Sequence, residues 1–179
     1  MRVATFFQVP LFLSALLFAN NSMAQEPSVT TETYGSWTYR CSQIAQQEDT
    51  QETAKKACEL VQIVRDGKGN VISQIAFGKN PDGGDSLVTV IQVPQGMLLT
   101  EPVKLSNESQ TQAITAPYFS CFNNICLART DIKSDLLSAL GGDSKGNLEF
   151  VDRSGRKVRV LLSFDGLKAA SDRLITTAG

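Results

Sequence analysis

Apolar and polar residues alternate along much of the chain, which is the pattern of β-strands that bury one face. The first such segment spans 34–40 and places Trp37 and Tyr39 on the same face. Two further apolar runs begin at Glu59 and Val71 and flank a glycine-rich turn, which predicts a hairpin. Segment 87–93 is so rich in valine and isoleucine that it predicts a central strand covered on both faces.

The second half of the chain predicts more extended segments. Residues 97–105 contain Pro102, which suits an edge strand or a bend because proline cannot donate to a ladder. Residues 110–121 are another strand candidate. Alternating positions in 147–152 and 157–163 predict a hairpin.

Two short helices complete the prediction. In 133–140 the leucines have helical spacing, Asp131 or Ser134 is available to cap the first turn, and Gly141 with Gly142 supplies a stop. A second helix runs from 166 or 167 to 175, with an inner side formed by Leu167, Ala170, Leu174 and Ile175. The fold class is therefore mainly β: an antiparallel β-sandwich or flattened barrel with two short helices.

The first 24 residues have the three regions of a secretory signal peptide. Arg2 precedes the apolar run Phe6 to Phe18, and Ser22-Met23-Ala24 forms a small-residue cleavage site. This run is broken by Pro10 and is shorter than a spanning helix requires, so we expect no transmembrane anchor after cleavage. We expect a signal peptide at 1–24, a flexible leader at 25–33 and one β-rich domain at 34–179.

Charge and composition exclude several function classes. The chain has 17 Lys plus Arg and 18 Asp plus Glu, so removing Arg2 leaves 16 against 18, a net charge of −2. A nucleic-acid partner is not expected, because phosphate binding requires clustered positive charge. The basic residues at 153, 156, 157 and 159 are interpreted as a solvated hairpin turn. The chain has no histidine, which excludes Ser-His-Asp catalysis and imidazole-bound zinc.

Four cysteines in an exported chain indicate two disulfides, for which three pairings are possible. Cys121 and Cys126 enclose Asn-Asn, a dipeptide suited to positive φ in a tight turn, which favours a local bond between them. Cys41 would then pair with Cys58. The spacings argue against a redox-active Cys-x-x-Cys pair and against a four-cysteine zinc site, so both disulfides are interpreted as structural.

Ordered motifs across the chain resemble the invasion-associated locus B family. They comprise Gly35 to Cys41, Cys58 to Gln62, Ala76 to Gly78, Val93 to Leu99, Pro117 to Cys121, Cys126 to Ala128, Leu136 to Leu140, Val158 to Ser163 and Gly166 to Ala170. The resemblance covers essentially the whole chain after the signal peptide. It implies an exported bacterial protein of the periplasm or cell surface, associated in some intracellular pathogens with invasion of host cells such as erythrocytes. It implies no established enzymatic activity.

The motif residues most worth locating are Gly35, Trp37, Glu59, Gln62, Gly78, Pro94 and Gly96. Trp37 beside Cys41 is interpreted as a core residue rather than an exposed binding aromatic. Glu59 lies among apolar neighbours, and we expect it to pair with Arg40 or Arg65 in a structural role.

These observations favour a non-enzymatic exported protein. It would bind an unidentified protein partner in the envelope or on a host cell, through a sandwich surface or the polar loop 43–56. No catalytic residue, cofactor or metal is assigned, and the acidic cluster Glu48, Asp49 and Glu52 is interpreted as solvated charge. One alternative is a carboxylate-dependent hydrolase that uses Glu59 with Glu101 or Asp85, since glycoside hydrolysis needs no histidine. Another is a small-ligand carrier, which requires a cavity within the β framework.

Overall fold

The computed structural model describes residues 29–44, 55–80 and 84–177, which form eleven strands and two helices in one architecture. In chain order the elements are β1 (Val29–Tyr34), β2 (Trp37–Ile44), β3 (Lys55–Arg65), β4 (Val71–Lys79), β5 (Ser86–Pro94), β6 (Val103–Asn107), β7 (Ala113–Ala116), β8 (Tyr118–Phe122), β9 (Ile125–Lys133), α1 (Ser134–Leu140), β10 (Lys145–Val151), β11 (Lys157–Ser163) and α2 (Leu167–Thr176).

The strands form two antiparallel sheets. The larger sheet has the order β1-β2-β3-β4-β5-β9-β8, and the smaller one has the order β11-β10-β6-β7. Within the described residues neither sheet closes on itself, so the architecture is sandwich-like and the flattened-barrel alternative does not apply. The prediction of a mainly β fold with two helices is confirmed.

The core lies between the larger sheet and a layer made of the smaller sheet and α2. Trp37 is fully buried there, and its ring centroid is 5.7 Å from that of Phe77 and 6.3 Å from that of Phe164. Aromatic rings in tilted contact at this separation contribute both buried area and favourable quadrupole interactions. Leu167, Ala170 and Leu174 of α2 are buried in the same core, as the helical spacing predicts.

The turn between β1 and β2 joins the two layers. The backbone N–H of Ser36 donates to the carbonyl of Asp165 at 3.1 Å, just before α2. Gln62, which is buried on β3, donates its Nε2 to the carbonyl of Ser163 at 2.6 Å. These two hydrogen bonds connect the larger sheet to the end of β11.

Residues 29–33, expected in a flexible leader, are part of strand β1 instead. β1 pairs with β2 from Val29↔Ser42 to Tyr34↔Trp37. The segment is mostly threonine and glutamate and has no buried position, so its sequence carries no apolar alternation to reveal the strand. Cross-strand hydrogen bonding to β2, together with β-branched threonines, accounts for its extended conformation.

The predicted strand 110–121 is wrong as a single element. Pro117 separates β7, which belongs to the smaller sheet, from β8, which belongs to the larger one. Proline has no N–H for a ladder and restricts the residue before it, so the chain crosses between the sheets at that point. Segment 97–105 is also reduced, because Met97 makes only an isolated bridge to Asp152 and β6 begins after Pro102.

β5 is central but is not covered equally on both faces, contrary to its prediction. Its burial alternates, with Leu87, Thr89, Ile91 and Val93 buried and the intervening residues only half-buried. The strand is apolar on both faces because the valines of its second face are still largely shielded from solvent by the neighbouring strands.

Helix α1 starts without the predicted side-chain cap. Lys133 is the N-cap and has no capping side-chain hydrogen bond, while Asp131 lies within β9. Strand β9 runs directly into the helix. The conformation of Lys133 is therefore fixed by its pairing in the β9 ladder and not by a side-chain cap.

Some expectations fall outside the described residues. They are the signal peptide 1–24, the start of the leader and the acidic cluster in loop 43–56, of which only the two ends are described as parts of β2 and β3. Among the described residues, no helix is both long enough and apolar enough to cross a membrane.

Candidate functional site

A short segment after β5 connects the two sheets at one end of the sandwich. The N–H of Gln95 donates at 2.9 Å to the carbonyl of Asn124, a residue of the turn between β8 and β9. On the other side, the N–H of Leu98 donates to Val151 at 2.8 Å and the carbonyl of Gly96 accepts from Arg153 at 2.9 Å. Residues 95–98 therefore form a floor between the β8–β9 turn and the β10–β11 turn.

The β8–β9 hairpin forms one wall above this floor. Cys121 and Cys126 are direct cross-strand partners and are joined by a disulfide, with a Cα–Cα distance of 4.1 Å. The two residues of the turn, Asn123 and Asn124, have φ of 47° and 65°, as the Asn-Asn dipeptide predicts. The disulfide joins the two strands of this wall next to the turn.

The β10–β11 turn forms the opposite wall. Asp152 accepts hydrogen bonds from the backbone N–H groups of Ser154 and Arg156 at 2.9 and 3.1 Å. The Ser154 hydroxyl, together with the backbone and guanidinium of Arg156, holds the pKa of Asp152 well below its usual range. Arg153 has no ion pair or side-chain hydrogen bond among the described residues, so its charge is available to a ligand.

Together these parts enclose an open groove of about 980 Å³, which we call the disulfide groove. It is lined by residues 95–97 and Leu99, by the Cys121–Cys126 disulfide, and by residues 152–154 and Arg156 of the turn. Met97 and Leu99 supply apolar surface, and Leu99 is 54% exposed. This volume is at the upper end of the range for ligand sites, and an apolar floor beside a free cation suits a segment with both apolar and acidic groups.

Strand β8 continues the groove wall as the outer edge of the larger sheet. Among the described strands it pairs only with β9, and its sequence Tyr-Phe-Ser-Cys-Phe carries no charge. Phe119 and Phe122 are 57% and 49% exposed. Natural sheets usually protect an edge with charges, so a charge-free edge with exposed aromatics is a candidate for strand addition.

Tyr118, at the start of β8, is the buried end of this edge. Its hydroxyl is buried without a hydrogen-bond partner among the described residues, and burial raises the pKa of Tyr118 to about 12. The phenol therefore stays protonated and does not act as a base at neutral pH.

Comparison with known proteins identifies the family. The model of the Invasion associated locus B (IalB) protein family matches residues 37–175, which include the groove and both disulfides. The chain belongs to the invasion associated locus B family. A crystal structure of invasion associated protein b from Bartonella henselae is similar in fold to this family member, with a TM-score of 0.67 and 23% identity. The likeness covers 82% of this chain and 95% of that one. No curated protein matches this chain by sequence.

Three of the motif residues of this invasion associated locus B family member meet at the joint between the layers. Gly35 has φ of +55° in the β1–β2 turn, and Trp37 begins β2 in the core. Gln62 binds Ser163 and, at 3.4 Å, the carbonyl of Ser36. Their positions indicate that they hold the sandwich together.

The other motif residues lie elsewhere. Glu59 accepts from Arg40 at 2.7 Å across β2 and β3, so Arg40 rather than Arg65 is its partner, and the carboxylate is 37% exposed rather than buried. Gly78 is opposite Glu59 on β4. Only Pro94 and Gly96 are near the disulfide groove: Pro94 ends β5 and Gly96 lines the groove.

The carboxylates considered for hydrolysis are not brought to the groove. Glu59 is paired with Arg40, Asp85 precedes β5, and the N–H of Glu101 closes a turn to the carbonyl of Leu98 at 3.1 Å. Asp152 is the carboxylate that lines the groove, and it is held ionised. In the described ranges, no group of three potential ligands is placed to bind a metal ion.

Sequence reasoning missed the residues that shape this groove. Arg153 was interpreted as part of a solvated turn, and Phe119 and Phe122 were not singled out. A usable signal was present, because residues 118–122 form an uncharged aromatic segment that ends at a disulfide-closed turn.

Proposed function

We propose that this invasion associated locus B family member is an exported, non-enzymatic protein that binds a partner protein at the disulfide groove. The observation that carries the proposal is the combination of an open groove with an apolar floor, an Arg153 side chain without a partner among the described residues, and an uncharged β8 edge. Binding there would serve invasion of host cells or interactions within the bacterial envelope.

Two features support export. Residues 1–24 have the order of charge, apolar run and small residues that a signal peptidase recognises. Both disulfides, Cys41–Cys58 and Cys121–Cys126, use every cysteine of the chain, as expected in an oxidising compartment. We propose the periplasm or the cell surface as the location.

The partner is an extended segment of another protein that carries a carboxylate. Such a segment would add its backbone to the free edge of β8 and place apolar side chains against Phe119 and Leu99. Its carboxylate would pair with the guanidinium of Arg153, where a charge-assisted hydrogen bond is stronger than a neutral one.

The chemistry of the groove supports binding rather than catalysis. A glycosidase needs two carboxyl groups about 5 to 10 Å apart, one of which is protonated. The groove is lined by Asp152, whose pKa is lowered by Ser154 and Arg156, so this carboxyl does not serve as a general acid near neutral pH.

The binding proposal can be tested by photo-crosslinking in the native bacterium. A photoreactive phenylalanine analogue replaces Phe119 in one strain and Leu161, which is 77% exposed on β11, in a control strain. We expect adducts to a partner protein from position 119 only, mapped by mass spectrometry to an extended acidic segment. Arg153→Glu should reduce the adduct yield at least fivefold, whereas the exposed charge reversal Lys104→Glu should not. Equal yields from both positions, or no effect of Arg153→Glu, would contradict the proposal.

Location is tested separately by protease treatment of intact cells. Degradation without opening the outer membrane would place the protein at the surface, where a host-cell partner is available. Protection until the membrane is opened would place it in the periplasm and favour an envelope partner. Recovery in the cytoplasm with residues 1–24 still attached would overturn the export proposal.

A further inference from the structure

The larger sheet has a second face, turned away from the core. Directly paired residues of neighbouring strands point to the same side of a sheet. The row Thr38, Val61, Ala76, Val90 and Arg129 and the next row, Arg40, Glu59, Gly78, Val88 and Asp131, therefore share this outer face.

The described core elements lie on the opposite side of this sheet. Arg173 of α2 stacks over the ring of Tyr39 at 4.7 Å, and Phe164 packs on Trp37, both on the inner face. On the outer face the apolar residues range from 4% exposed at Val61 to 52% at Val29. The outer face thus includes apolar residues and has no described helix or strand packed on it as a second layer.

Charge is distributed over this face as in a protein interface, with an uncharged centre and a charged rim. The outward-facing residues of β4 and β5 are uncharged: Ile72, Gln74, Ala76, Gly78, Ser86, Val88, Val90 and Gln92. The charges lie on the flanking strands, where Arg40 and Glu59 neutralise each other on one side. On the other side β9 carries Arg129, Asp131 and Lys133.

Arg129 and Asp131 are the distinctive pair. They lie two residues apart on the same face of β9, both are exposed, and neither side chain has an ion-pair or hydrogen-bond partner among the described residues. Opposite charges in this arrangement are self-complementary. Consider a two-fold axis that lies parallel to the sheet above its outer face, runs at right angles to the strands and passes over β9 midway between the two residues. This axis places Arg129 of one copy opposite Asp131 of the second copy, and Asp131 opposite Arg129.

We propose that two copies of this chain associate through the outer faces of their larger sheets. The axis described above sets Arg129 against Asp131 of the second copy, twice. On the neighbouring strand it sets Val88 against Val90 of the second copy, so the centre of the contact is apolar. Sheets that pack in this way lie about 10 Å apart, a gap that an arginine side chain can span.

The size of the face is sufficient for a stable dimer. Seven strands about 4.8 Å apart, with the central ones about 30 Å long, present an area on the order of 800 Å². A standard interface buries about 800 Å² on each partner. By its pairing with Ile125, Phe122 shares this outer face, but the disulfide groove, Arg153 and the backbone edge of β8 lie at the end and edge of the sandwich and stay open to the proposed partner.

The test is the mass of the disulfide-bonded protein isolated from its native bacterium, measured by analytical ultracentrifugation over a concentration series. We expect a dimer in equilibrium with monomer. Asp131→Arg would oppose Arg129 of the second copy with a like charge, and we expect it to raise the dissociation constant at least tenfold. The double variant Arg129→Asp with Asp131→Arg restores opposite charges and should restore the dimer. The exposed charge reversal Lys104→Asp on β6 is the matched control and should change nothing.

A protein that stays monomeric at all concentrations would overturn the proposal. So would a double variant that dissociates as strongly as Asp131→Arg, because the charges would then not face each other. Circular dichroism of each variant checks that the fold is retained. Crosslinking from position 119 should be unchanged by Asp131→Arg, so failure of the dimer and failure of the partner-binding proposal are distinguishable.

Discussion

At the scale of single residues, Gly35 allows the two layers of the sandwich to approach closely. Its φ is +55°, and a Cβ built on it would lie 2.6 Å from the carbonyl oxygen of Asp165, which accepts the Ser36 N–H. The turn therefore needs both a residue that adopts positive φ and one that has no side chain.

We expect Gly35→Ala to destabilise the protein strongly. The matched control is Gly69→Ala, at φ of +87° with open space around the added Cβ, which carries only the backbone strain of about 1 to 2 kcal/mol. Because Gly35→Ala also forces the backbone at Asp165 to move, it should lower the free energy of unfolding by at least about 2 kcal/mol more than the control. Urea unfolding of both variants measures the difference. Equal losses would show that the close approach is not required.

Glu32 and Arg173 connect the first described strand to the last helix. Hydrogen bonds from Arg173, and then from Tyr34, lower the pKa of Glu32 from 4.5 to about 2. A carboxyl whose pKa is depressed in the folded state stabilises the protein above its unfolded pKa, and this contribution disappears as the pH falls towards the folded pKa.

The stability difference between wild type and Glu32→Gln should therefore depend on pH. We expect the wild type to be the more stable protein at pH 6 and the difference to shrink as pH falls from about 5 to about 2. Urea unfolding at a series of pH values gives the curve, and the remaining carboxylates cancel because both proteins share them. A difference that stays constant over this range would contradict the role of the ion pair.

At the scale of elements, each disulfide joins directly paired residues of two antiparallel strands. Cys41 pairs with Cys58 across β2 and β3, and Cys121 pairs with Cys126 across β8 and β9. The first closes a loop of sequence separation 17 and the second one of 5. The longer loop restricts the unfolded chain more, so its disulfide should contribute more to stability.

Replacing both cysteines of a pair by serine tests this difference. We expect Cys41→Ser with Cys58→Ser to cost about 3 kcal/mol in the free energy of unfolding, and Cys121→Ser with Cys126→Ser about 2 kcal/mol. Denaturant unfolding of the two double variants provides the comparison, and each serves as the control for the other. Unchanged stability of the first variant would show that its bond is not a structural one.

The predictions at this scale succeeded where local pattern decides the structure and were wrong where partners decide it. The 157–163 strand alternates as expected, and α2 buries the predicted side. By contrast, β7 and β8 were expected as a single strand although Pro117 lies between them. Both halves are extended, and only the choice of hydrogen-bond partner assigns them to different sheets.

At the scale of the whole molecule, the two layers give the larger sheet two different faces. One packs on the smaller sheet and α2 around Trp37. The other has an apolar centre between charged rims, which is the basis of the proposed dimer. The crossing at Pro117 also places β8 at the sheet edge, beside the floor formed by residues 95–98.

The candidate site was predicted only in part, because a groove depends on three separate segments. Spacing favoured Cys121–Cys126, and the resemblance drew attention to Pro94 and Gly96. No sequence pattern connects these residues to Arg153, since the connection is made by backbone hydrogen bonds between segments distant along the chain. Within the described part of the chain Arg153 has no partner, because the neighbouring Asp152 accepts from Ser154 and Arg156 instead.

The sequence by itself determined the β-rich class, the two helices and the Asn-Asn turn, and it favoured one of the three possible pairings of the cysteines. Each depends on residue period, backbone preference or loop length, which are local properties of the chain. Only the tertiary structure decided that residues 29–34 form a strand, that Pro117 divides two sheets, and that no described element packs on one face of the larger sheet. These features arise from hydrogen bonds and packing between residues far apart in sequence, for which a strand carries no signal in its own residues.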